Sequence, residues 1–490
     1  MDRLRGGALK RNTVAALLGL ALSACGGSDT STPTPTPTPT NHAPTITSAA
    51  AASVVENSVG VIYQGSATDP DGDPITLTLS GTDAASFTIS STGEVRFASP
   101  PNFERPTDAD ANNVYILQLT ASDGKASVSQ AVTITVTNSK EGIDVQRVVS
   151  GFNHPVSIVT MPGQSQLMVA ERSGAIYIYD PATQMRTLYA TVDGLTTAAG
   201  QGILSIAVQP DFATRHIVYA LVAHNGGVGV RQIFNNGGPT GWLEFNIGAH
   251  TAYSNDIGGW LGFGPDGMLY VATGDAGGTN DPSGSAQDSA SLFGKLLSFS
   301  PAAFDAYSGA SVPPPIKAKL LAQGLHYPSG GTFYANGLLL PDRGQSQREE
   351  VNALPLTVGT VDNLGWPYRE GTYVNLAGEP AGLVSPVLEY PHGSGTYAGQ
   401  QIVGGFVYQG SNASLTGTYV FLDASGAVFT VPLVSLQRGS TFAASDFERR
   451  DLDFTPASGT IAQPVSVVED GTGAIYIACD DGEIFRVTAS

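Results

Sequence analysis

The run Gly264-Pro265-Asp266-Gly267-Met268-Leu269-Tyr270-Val271-Ala272-Thr273 joins a tight turn to a short apolar strand. Pro, Asp and Gly suit the turn for conformational reasons, and the aromatic and β-branched residues after it favour a strand. Similar strands occur six times between residues 143 and 489, spaced by about 50 residues or more. They are Leu167–Ala170, Val218–Leu221, Leu269–Ala272, Leu338–Leu340, Tyr419–Leu422 and Ile475–Ala478. Because four-stranded blades of about 40–50 residues build propellers, six copies predict an all-β, six-bladed β-propeller.

The composition agrees with short strands joined by turns. Of the 490 residues, 41% are apolar and 13% charged, and Gly (59) and Pro (31) are abundant. This balance supports a buried core and argues against a helical bundle. The formal net charge of −19 would repel phosphate backbones, so we expect no nucleic acid partner. The same charge is compatible with divalent cations.

The first 24 residues have the pattern of an export signal. Basic residues precede the apolar stretch Val14–Leu22, which is too short to span about 30 Å of hydrocarbon. The sequence Leu22-Ser23-Ala24-Cys25 resembles the lipobox of bacterial lipoproteins, which implies cleavage and lipidation at Cys25. The alternative is an ordinary signal peptide with an incidental cysteine. The expectation is an exported bacterial lipoprotein at the outer membrane or cell surface, held by lipid alone, with no transmembrane helix in the mature protein.

Residues 25–42 form a predicted linker, in which Thr and Pro alternate from Ser31 to Thr40. Proline fixes φ and removes backbone donors, so an extended polyproline-type stalk is expected. If Cys25 is acylated, Cys479 has no intramolecular partner, since the chain has two cysteines. Its strand-like surroundings predict a buried, structural thiol.

Residues 43–138 show short strand-like runs at the spacing of a β-sandwich. These runs are Val59–Gly65, Pro74–Leu79, Ser86–Ile89, Glu94–Ala98, Val114–Ala121 and Ala131–Val136. The unit resembles a cadherin-like domain through Val55–Asn57, Ala67–Asp73, Asn102–Glu104, Leu119–Gly124 and Val132–Val136. The resemblance implies a calcium site held by Glu56, Asp69, Asp71, Glu104 and Asp123. Several carboxylates near one end of a sandwich could supply the oxygens that calcium needs. The alternative is that these acids simply form turns.

Residues 143–489 resemble the glucose/sorbosone dehydrogenase family. The motifs that carry the resemblance are Gly200–Phe212, Gly258–Gly278, Ser291–Leu297, Gln347–Asn352, Leu364–Pro367 and Gly404–Tyr408. The resemblance implies a six-bladed propeller that binds pyrroloquinoline quinone (PQQ) and calcium at its axis and oxidises an aldose by hydride transfer. In that chemistry a base removes the sugar hydroxyl proton while the quinone accepts the hydride.

Of the positions that the family uses in its active site, some carry the family's residue in this sequence and others do not. Asp256 stands where active relatives carry the basic histidine, and Asp275 stands where the orienting aspartate belongs. His326 takes the place of a cofactor-binding arginine, and Ala427 takes the place of another. An ordinary Asp has a pKa of about 3.9, which is low for a base near neutrality. His326 could serve as the base instead.

Three further residues complete the expected site. Gln201 lies in the first family motif and is expected to contact the cofactor. Gly344 and Gln345 occupy the turn whose backbone carbonyls hold calcium in the family, and they adjoin the cofactor there. Two functions remain open: a PQQ-dependent sugar dehydrogenase with an atypical site, or a catalytically lapsed propeller that binds a sugar, a polysaccharide or a protein.

Overall fold

The computed structural model describes residues 40–489, except for 197, 199, 236–240, 250–252, 254–256, 309–315, 336, and 357–358. The predicted signal segment, Cys25 and nearly all of the predicted linker therefore lie outside the described residues. Within the described part, no helix combines the length and apolarity needed to cross a bilayer.

The first unit is a β-sandwich, as the sequence predicts. Its strands are β1 (Thr45–Ile46), β2 (Ala51–Val55), β3 (Tyr63–Gln64), β4 (Ala67–Thr68), β5 (Thr76–Ser80), β6 (Phe87–Ile89), β7 (Glu94–Phe97), β8 (Val114–Ser122) and β9 (Ser127–Thr137). One sheet has the order β2-β9-β8-β5, another β3-β7-β6, and β1 pairs with β4. Alternate residues of β8 and β9 point inwards, and Tyr115, Leu117, Leu119, Val132 and Ile134 form the core with Phe87 and Val95. The period of two is what a half-buried strand requires.

The second unit is a ring of six sheets, which confirms the propeller. The strands of the first three sheets are β11 (Pro155–Thr160), β12 (Leu167–Glu171), β13 (Ala175–Asp180), β14 (Met185–Thr191), β15 (Ile203–Val208), β16 (Ile217–His224), β17 (Gly227–Phe234), β18 (Gly241–Gly248), β19 (Gly259–Phe263), β20 (Leu269–Thr273), β21 (Lys295–Phe299) and β22 (Lys319–Gln323). Consecutive strands pair in order, so β11–β14, β15–β18 and β19–β22 are blades 1, 2 and 3.

Blades 4, 5 and 6 complete the ring, and the longest insertion lies in blade 4, between β26 and β30. Their strands are β23 (Tyr327–Pro328), β24 (Thr332–Tyr334), β25 (Gly337–Arg343), β26 (Arg348–Leu354), β27 (Asp362–Asn363), β28 (Arg369–Glu370), β29 (Tyr373–Val374), β30 (Leu388–Pro391), β31 (Ile402–Val407), β32 (Thr418–Asp423), β33 (Val428–Pro432), β34 (Glu448–Arg449), β35 (Pro464–Glu469), β36 (Ile475–Cys479) and β37 (Ile484–Ala489). β23 and β24 both pair with β25, so together they act as the inner strand of blade 4. β27 extends blade 3, and β28 pairs with β29.

The ring is closed by β10 (Ile143–Val149), which comes first in the propeller yet pairs with β37 at the chain's end. Blade 6 therefore has the order β10-β37-β36-β35. Closure joins the start of the propeller to its last strand within one sheet. The helices are short and lie between strands: α1 (Phe212–Arg215) and α2 (Pro301–Ser308), with 3-10 turns at Ala84–Ser86, Lys140–Gly142, Leu433–Ser435 and Ala444–Asp446.

Six buried apolar clusters hold the ring together, each between two neighbouring blades. The middle strands of the blades are the predicted repeats, and their residues are almost completely buried on both faces. Cys479 is one of them, a free and buried thiol in the cluster between blades 5 and 6. Burial raises the pKa of this thiol to about 12, so the thiol is a structural group, as the sequence predicts.

Candidate active site

A pocket of about 540 Å³ opens at one mouth of the propeller axis. We call it the axial pocket. Every blade contributes to its wall, because the loops that lead into the inner strands all reach this face. Its lining residues are Val156, Arg172, Gly200, Gln201, Ile203, Leu204, Gly259, Tyr327, Pro328, Ser329, Arg343, Gln400, Gln401, Ala424, Gln463, Pro464, Val465 and Asp480. Its volume lies in the range of sites for small molecules and cofactors.

The floor of the axial pocket is apolar because four inner strands bulge there. Register shifts in β11, β15, β31 and β35 each insert one residue at the pocket end of the strand. In three of these blades the inserted residue, Val156, Leu204 or Val465, lines the pocket. A bulge re-aims a side chain in this way. The result is a small aliphatic surface on which a flat ligand can rest.

Serines tie the inner strands to one another just below this floor. The Oγ atom of Ser466 accepts the Ile158 N–H at 3.1 Å, and Ser157 Oγ accepts the Ile206 N–H at 3.3 Å. These bonds cross from one blade to the next. They hold the floor in place without filling the axis, which a larger side chain would do.

The wall of the axial pocket is polar. Two guanidinium groups, those of Arg172 and Arg343, and four glutamines at positions 201, 400, 401 and 463 surround the floor. Asp480 is the one acidic residue among the lining residues. Gln201 lines the pocket and is 7% exposed, and its contact with a cofactor stays a prediction. Amide and guanidinium donors suit a ligand with several oxygen acceptors.

Three buried acids hold the loops of the wall. Glu171 and Asp423 end the second strand of their blades, Asp342 is the last but one residue of its strand, and all three are at most 6% exposed. Each carboxylate accepts backbone N–H groups from the loop before its neighbouring inner strand: Asn153 for Glu171, His326 and Tyr327 for Asp342, and Gln400 and Gln401 for Asp423. Such charge-assisted bonds fix the loop positions strongly.

Asp275 and His326 lie together, but behind the wall and outside the set of lining residues. The Asp275 N–H donates to the His326 carbonyl at 3.0 Å. Asp275 Oδ2 accepts the Trp366 indole N–H at 2.7 Å, and the His326 ring lies 4.3 Å from the Trp366 ring. His326 Nδ1 lies 2.7 Å from the Arg343 carbonyl, which can only accept, so Nδ1 carries the proton. This tautomer leaves the basic lone pair on Nε2, but His326 is 4% exposed and does not line the axial pocket, and this position disfavours it as the base there.

Asp256 lies outside the described residues. Two positions later in the sequence, Gly258 packs against Tyr327, and a Cβ atom there would come within 2.5 Å of the Tyr327 ring. Glycine at this position therefore lets Tyr327 pack flat against the start of blade 3. The Arg343 guanidinium in turn lies 4.7 Å from the centre of the same ring, a cation–π contact that braces this side of the pocket.

A second space of about 10 Å³, here called the inner cavity, lies beneath His326. Gly344 borders it, as do the carboxyl groups of Asp342, Glu350 and Glu370 and the arginines Arg343, Arg348 and Arg369. This is room for one water molecule or ion. Burial, and then repulsion from Glu350, raises the pKa of Asp342 well above its usual value. Burial also raises the pKa of Glu350 to about 7.

Gln345 belongs to the same turn, but its backbone faces an acid. The N–H groups of Gln345, Ser346 and Gln347 all donate to the Glu370 carboxylate. The Gln345 side chain accepts the Asn280 N–H at 2.8 Å instead of pointing into the axial pocket. Gly344 thus borders the inner cavity, whereas Gln345 lines neither that cavity nor the axial pocket.

The five predicted calcium ligands of the sandwich do not lie at one end of it, which corrects that expectation. Glu56 pairs through its N–H with Thr137, the last residue of β9, whereas Asp123 precedes the first residue of β9. At about 3.3 Å per residue, the strand separates them by roughly 30 Å. Asp69 and Asp71 lie at the Asp123 end, beside Asn41 and His42.

At that end the alternative interpretation, turn formation, is what the contacts support. Asp69 Oδ1 accepts the N–H groups of Asp71 and Asp73, and Asp123 Oδ1 accepts those of Lys125 and Ala126. These short-range bonds are characteristic of Asx turns. Hydrogen bonds from the Ala126 backbone and from Asn41 lower the pKa of Asp123 to about 2.

Glu56 and Glu104 do come together, and Glu141 joins them. Ligand oxygens of these three residues lie within 4.8 Å of one another. We call this group the junction cluster, since Glu141 and its partner Arg450 link the sandwich to the propeller. Glu104 is 3% exposed, and its Oε2 atom has no hydrogen-bond partner. Burial, followed by the charge of Asp453 and a hydrogen bond to Glu56, raises the pKa of Glu104 to about 9.

The sequence interpretation missed Arg172, Arg343, Asp480 and Glu370. A signal for the first two was present: an acid followed by arginine ends the middle strand in both blade 1 (Glu171-Arg172) and blade 4 (Asp342-Arg343). No local pattern marks Glu370, because its partners become neighbours only through the turn at 345–348.

Both units of the chain are similar to known protein families. The model of the glucose/sorbosone dehydrogenase family matches residues 152–419, which is more than half of the chain. The chain belongs to the glucose/sorbosone dehydrogenase family. A second model, that of a bacterial Ig domain, matches residues 41–137. The sandwich is thus Ig-like by family model, where the sequence suggested a cadherin-like domain.

Among glucose/sorbosone dehydrogenase relatives, the HIPL2 protein of Arabidopsis thaliana is 30% identical over 247 residues, 44% of this chain and 33% of that protein. This chain thus spans a third of that curated relative. The PQQ-bound aldose sugar dehydrogenase of Streptomyces coelicolor is 22% identical with a TM-score of 0.54, covering 70% of this chain and 98% of that one. The calcium structure of a Trichoderma reesei family AA12 enzyme has 15% identity and a TM-score of 0.52, covering 71% and 96%. These two likenesses show the fold.

Proposed function

We propose that the propeller oxidises a hydroxyl of an aldose-type sugar, with pyrroloquinoline quinone bound in the axial pocket. The observation that carries this proposal is the pocket itself. It combines a small aliphatic floor, two guanidinium groups and four glutamine side chains around an axis that every blade lines. Membership of the family adds the expected reaction class, and the chain is related to PQQ sugar dehydrogenases through it.

The donor set fits this cofactor. PQQ is flat and carries several carboxylate groups, so an aliphatic floor suits its face, and guanidinium and amide groups suit its edge. Arg172, Arg343 and Gln201 are the residues that would hold it. The chemistry PQQ supplies when bound is hydride acceptance from the sugar carbon, while the hydroxyl proton passes to a base of the chain.

Asp256 is our proposed base, because it occupies the sequence position of the family's basic residue. We assign Asp275 the role of orienting this base. Its carboxylate is completely buried and is held by Trp366 and by the Gly277 N–H at 2.8 Å. An aspartate is a weak base at neutral pH unless burial raises its pKa. We therefore expect slower turnover than a histidine would give, and a pH profile that extends further to the acid side.

Calcium is proposed at two places, each with oxygen ligands of the kind this ion prefers. In the inner cavity, Asp342 and Glu350 with the turn at Gly344 would supply carboxylate and carbonyl oxygens. In the junction cluster, Glu56, Glu104 and Glu141 would supply carboxylates. The raised pKa values of Glu104 and Glu350 support both proposals, because burial and neighbouring acids disfavour the charged carboxylate and a bound cation would favour it.

The cellular setting is proposed from the sequence. The lipobox-like Cys25 and the Thr/Pro-rich segment support a lipid-anchored protein on an extended stalk at the cell surface. A sugar or a polysaccharide outside the cell would then be the substrate. Mass spectrometry of the membrane fraction tests this: a diacylglycerol-modified Cys25 is expected, and an unmodified mature N-terminus overturns it.

The decisive experiment reconstitutes the purified protein with PQQ and Ca²⁺ and measures reduction of an artificial electron acceptor with a panel of aldoses. PQQ binding by calorimetry together with sugar-dependent turnover is the expected result. If PQQ does not bind, the dehydrogenase proposal fails and the alternative remains, a propeller that binds a carbohydrate or a protein.

A restored variant tests whether the atypical residues limit catalysis. Asp256→His with His326→Arg returns the two family residues to the site. If the wild type already turns over at a comparable rate, Asp256 is an effective base. If the variant alone is active and both proteins bind PQQ, the natural chain has lost catalysis. Thermal unfolding serves as the control, because His326 is buried and bonded to Arg343.

A further inference from the structure

The charge of the axial pocket differs from that of the protein around it. The chain has 42 acidic and 23 basic residues, yet the charged groups that line the pocket are two arginines and one aspartate. A positive site in an acidic protein attracts anions locally, because low-dielectric walls focus the field of the charges that line them. The pocket is therefore built for an anionic group rather than for a neutral sugar alone.

The two arginines face the pocket from opposite sides of the ring. Arg172 follows the second strand of blade 1, and Arg343 ends the second strand of blade 4. In a ring of six blades these positions are three blades apart, which is diametrically opposed. A ligand that lies across the axis can thus meet a guanidinium group at each end.

Both arginines stand on rigid supports. Each follows directly after a buried acid, Glu171 or Asp342, that holds the neighbouring loop through backbone N–H groups. Arg343 is also held from above and below: its Nε donates to the Ile402 carbonyl at 2.9 Å, and its guanidinium covers the Tyr327 ring. A guanidinium held in this way loses less rotational freedom when it binds a ligand.

Each guanidinium keeps donors for a ligand. Arg172 donates through one Nη atom to Asp480 Oδ1 at 3.1 Å, and Arg343 donates through Nη1 to Gln401 at 3.3 Å. A guanidinium has five N–H donors, so neither set of contacts uses all of them. Asp480 also lies 3.1 Å from His154 Nδ1, so its charge is shared between two partners.

We propose that Arg172 and Arg343 form a carboxylate clamp across the axial pocket. The clamp takes over from the two family arginines that His326 and Ala427 replace in this chain. The carboxylates could belong to the quinone, in which case the clamp rests on the proposed function, or to an acidic sugar such as a hexuronate. Both ligands offer the planar oxygen pair that a guanidinium binds in a bidentate manner.

Calorimetry with two probes, PQQ and glucuronate, tests the clamp, with glucose as the neutral counterpart of glucuronate. Arg172→Gln and Arg343→Gln are each expected to weaken binding of at least one acidic probe by roughly tenfold to a hundredfold, the loss of a charge-assisted contact. Neither should change glucose binding. Arg96→Gln, in an exposed pair on the sandwich, is the matched control and should bind as the wild type does.

Asp480→Asn tests the clamp through a change that should strengthen binding of the acidic probes instead of weakening it. Removing this carboxylate leaves Arg172 with an uncompensated charge, so the acidic probes should bind more tightly, by roughly threefold to tenfold. Thermal unfolding of every variant checks the fold. Where Arg343→Gln does not fold, Arg343→Lys takes its place, because it keeps the charge but loses the fork of donors.

The outcomes separate the clamp from the proposed function. If the wild type binds PQQ and the arginine variants bind both acidic probes as the wild type does, the clamp is wrong while the dehydrogenase proposal stands. If the wild type binds glucuronate but no PQQ, and the variants lose it, the clamp stands and the PQQ proposal fails. If neither acidic probe binds the wild type, the clamp is overturned.

Discussion

Trp366 donates its indole Nε1–H to Asp275 Oδ2 at 2.7 Å, and both side chains are buried. This bond joins the loop between β27 and β28 to the Asp275 position, which the family resemblance identifies as part of the active site. Asp275 is an acidic side chain with no exposure. Burying such a group costs free energy unless hydrogen-bond donors satisfy its carboxyl oxygens, as the Trp366 indole does.

Trp366→Phe should therefore destabilise the protein through Asp275. The variant keeps an aromatic ring but removes the donor, at an expected cost of about 1–3 kcal/mol in the free energy of unfolding. Urea denaturation measures it. The double variant with Asp275→Asn should cost less than the two single changes together, since the two residues interact. Additive costs would mean that the bond contributes nothing.

Gly258→Ala should disturb the pocket wall. A Cβ atom there would lie 2.5 Å from the Tyr327 ring, so the ring must move and take the Arg343 guanidinium with it. We expect a loss of about 1–3 kcal/mol in stability from overpacking. Gly60→Ala in the sandwich is the matched control, because nothing lies within 4 Å of its Cβ position. Equal unfolding curves for both variants would contradict the packing argument.

Arg450→Met should loosen the connection between the sandwich and the propeller. Arg450 is 3% exposed and contacts Glu141, Glu448 and Asp453. Removing Arg450 leaves its acidic partners without this positive charge, which should lower the free energy of unfolding by about 3–5 kcal/mol.

Arg105→Met tests the same junction at its surface and is the control for Arg450→Met. The Arg105–Asp446 pair is half exposed and should contribute only about 0–1 kcal/mol. Urea unfolding and limited proteolysis between the two units measure the difference. Similar costs for both variants would mean that the buried network does not hold the units together.

Lys295 predicts a dependence of stability on alkaline pH. Its ammonium group is fully buried and donates to the carbonyls of Ser285, Ala286 and Phe293. Burial lowers its pKa from 10.5 to about 8. Between these values the unfolded chain binds more protons than the folded one, so the free energy of unfolding rises as pH increases.

Lys295→Met should remove that rise. The variant is less stable at every pH because three carbonyls lose their donor, and its deficit should grow from pH 7.5 to pH 10 by on the order of 1–3 kcal/mol. Urea unfolding at several pH values measures this, with Lys319→Met on an exposed site as the control. A deficit independent of pH would show that the lysine titrates normally.

Calcium should stabilise the full chain, and EGTA should reverse the effect. At a calcium concentration one hundred times Kd, a single site adds about 2.7 kcal/mol. Glu104→Gln should lower the number of bound ions measured by calorimetry by one, because it removes a ligand charge from the junction cluster. Asp71→Asn, at the other end of the sandwich, should leave the number unchanged. The reverse pattern would place calcium at the Asp71 end.

The sequence predicted the architecture well because each blade of the propeller carries the same short sequence pattern. Each middle strand is apolar and follows a turn, so Leu269–Thr273 and Ile475–Cys479 could be recognised independently and counted. The same regularity predicted that Cys479 is buried. The ring closure by Ile143–Val149 has no such signal, because the pairing partner of that strand lies at the far end of the chain.

The site was harder to predict because its residues come from separate blades. Gln201 was found through its family motif, but Arg172, Arg343 and Asp480 converge only when the ring closes. The calcium ligands of the sandwich show the limit most clearly. The order of motifs along the chain does not show at which end of the sandwich each residue lies. Here the whole length of β9 separates Asp123 from Glu56.

The pairing of Ile143–Val149 with Ile484–Ala489 also constrains how the protein is made. During synthesis, five sheets can form from chain that has already left the ribosome, since their strands are close in sequence. The sixth forms only after Ile484–Ala489 has emerged, and until then Ile143–Val149 lacks its pairing partner. Deleting Ile484–Ala489 would leave the ring open.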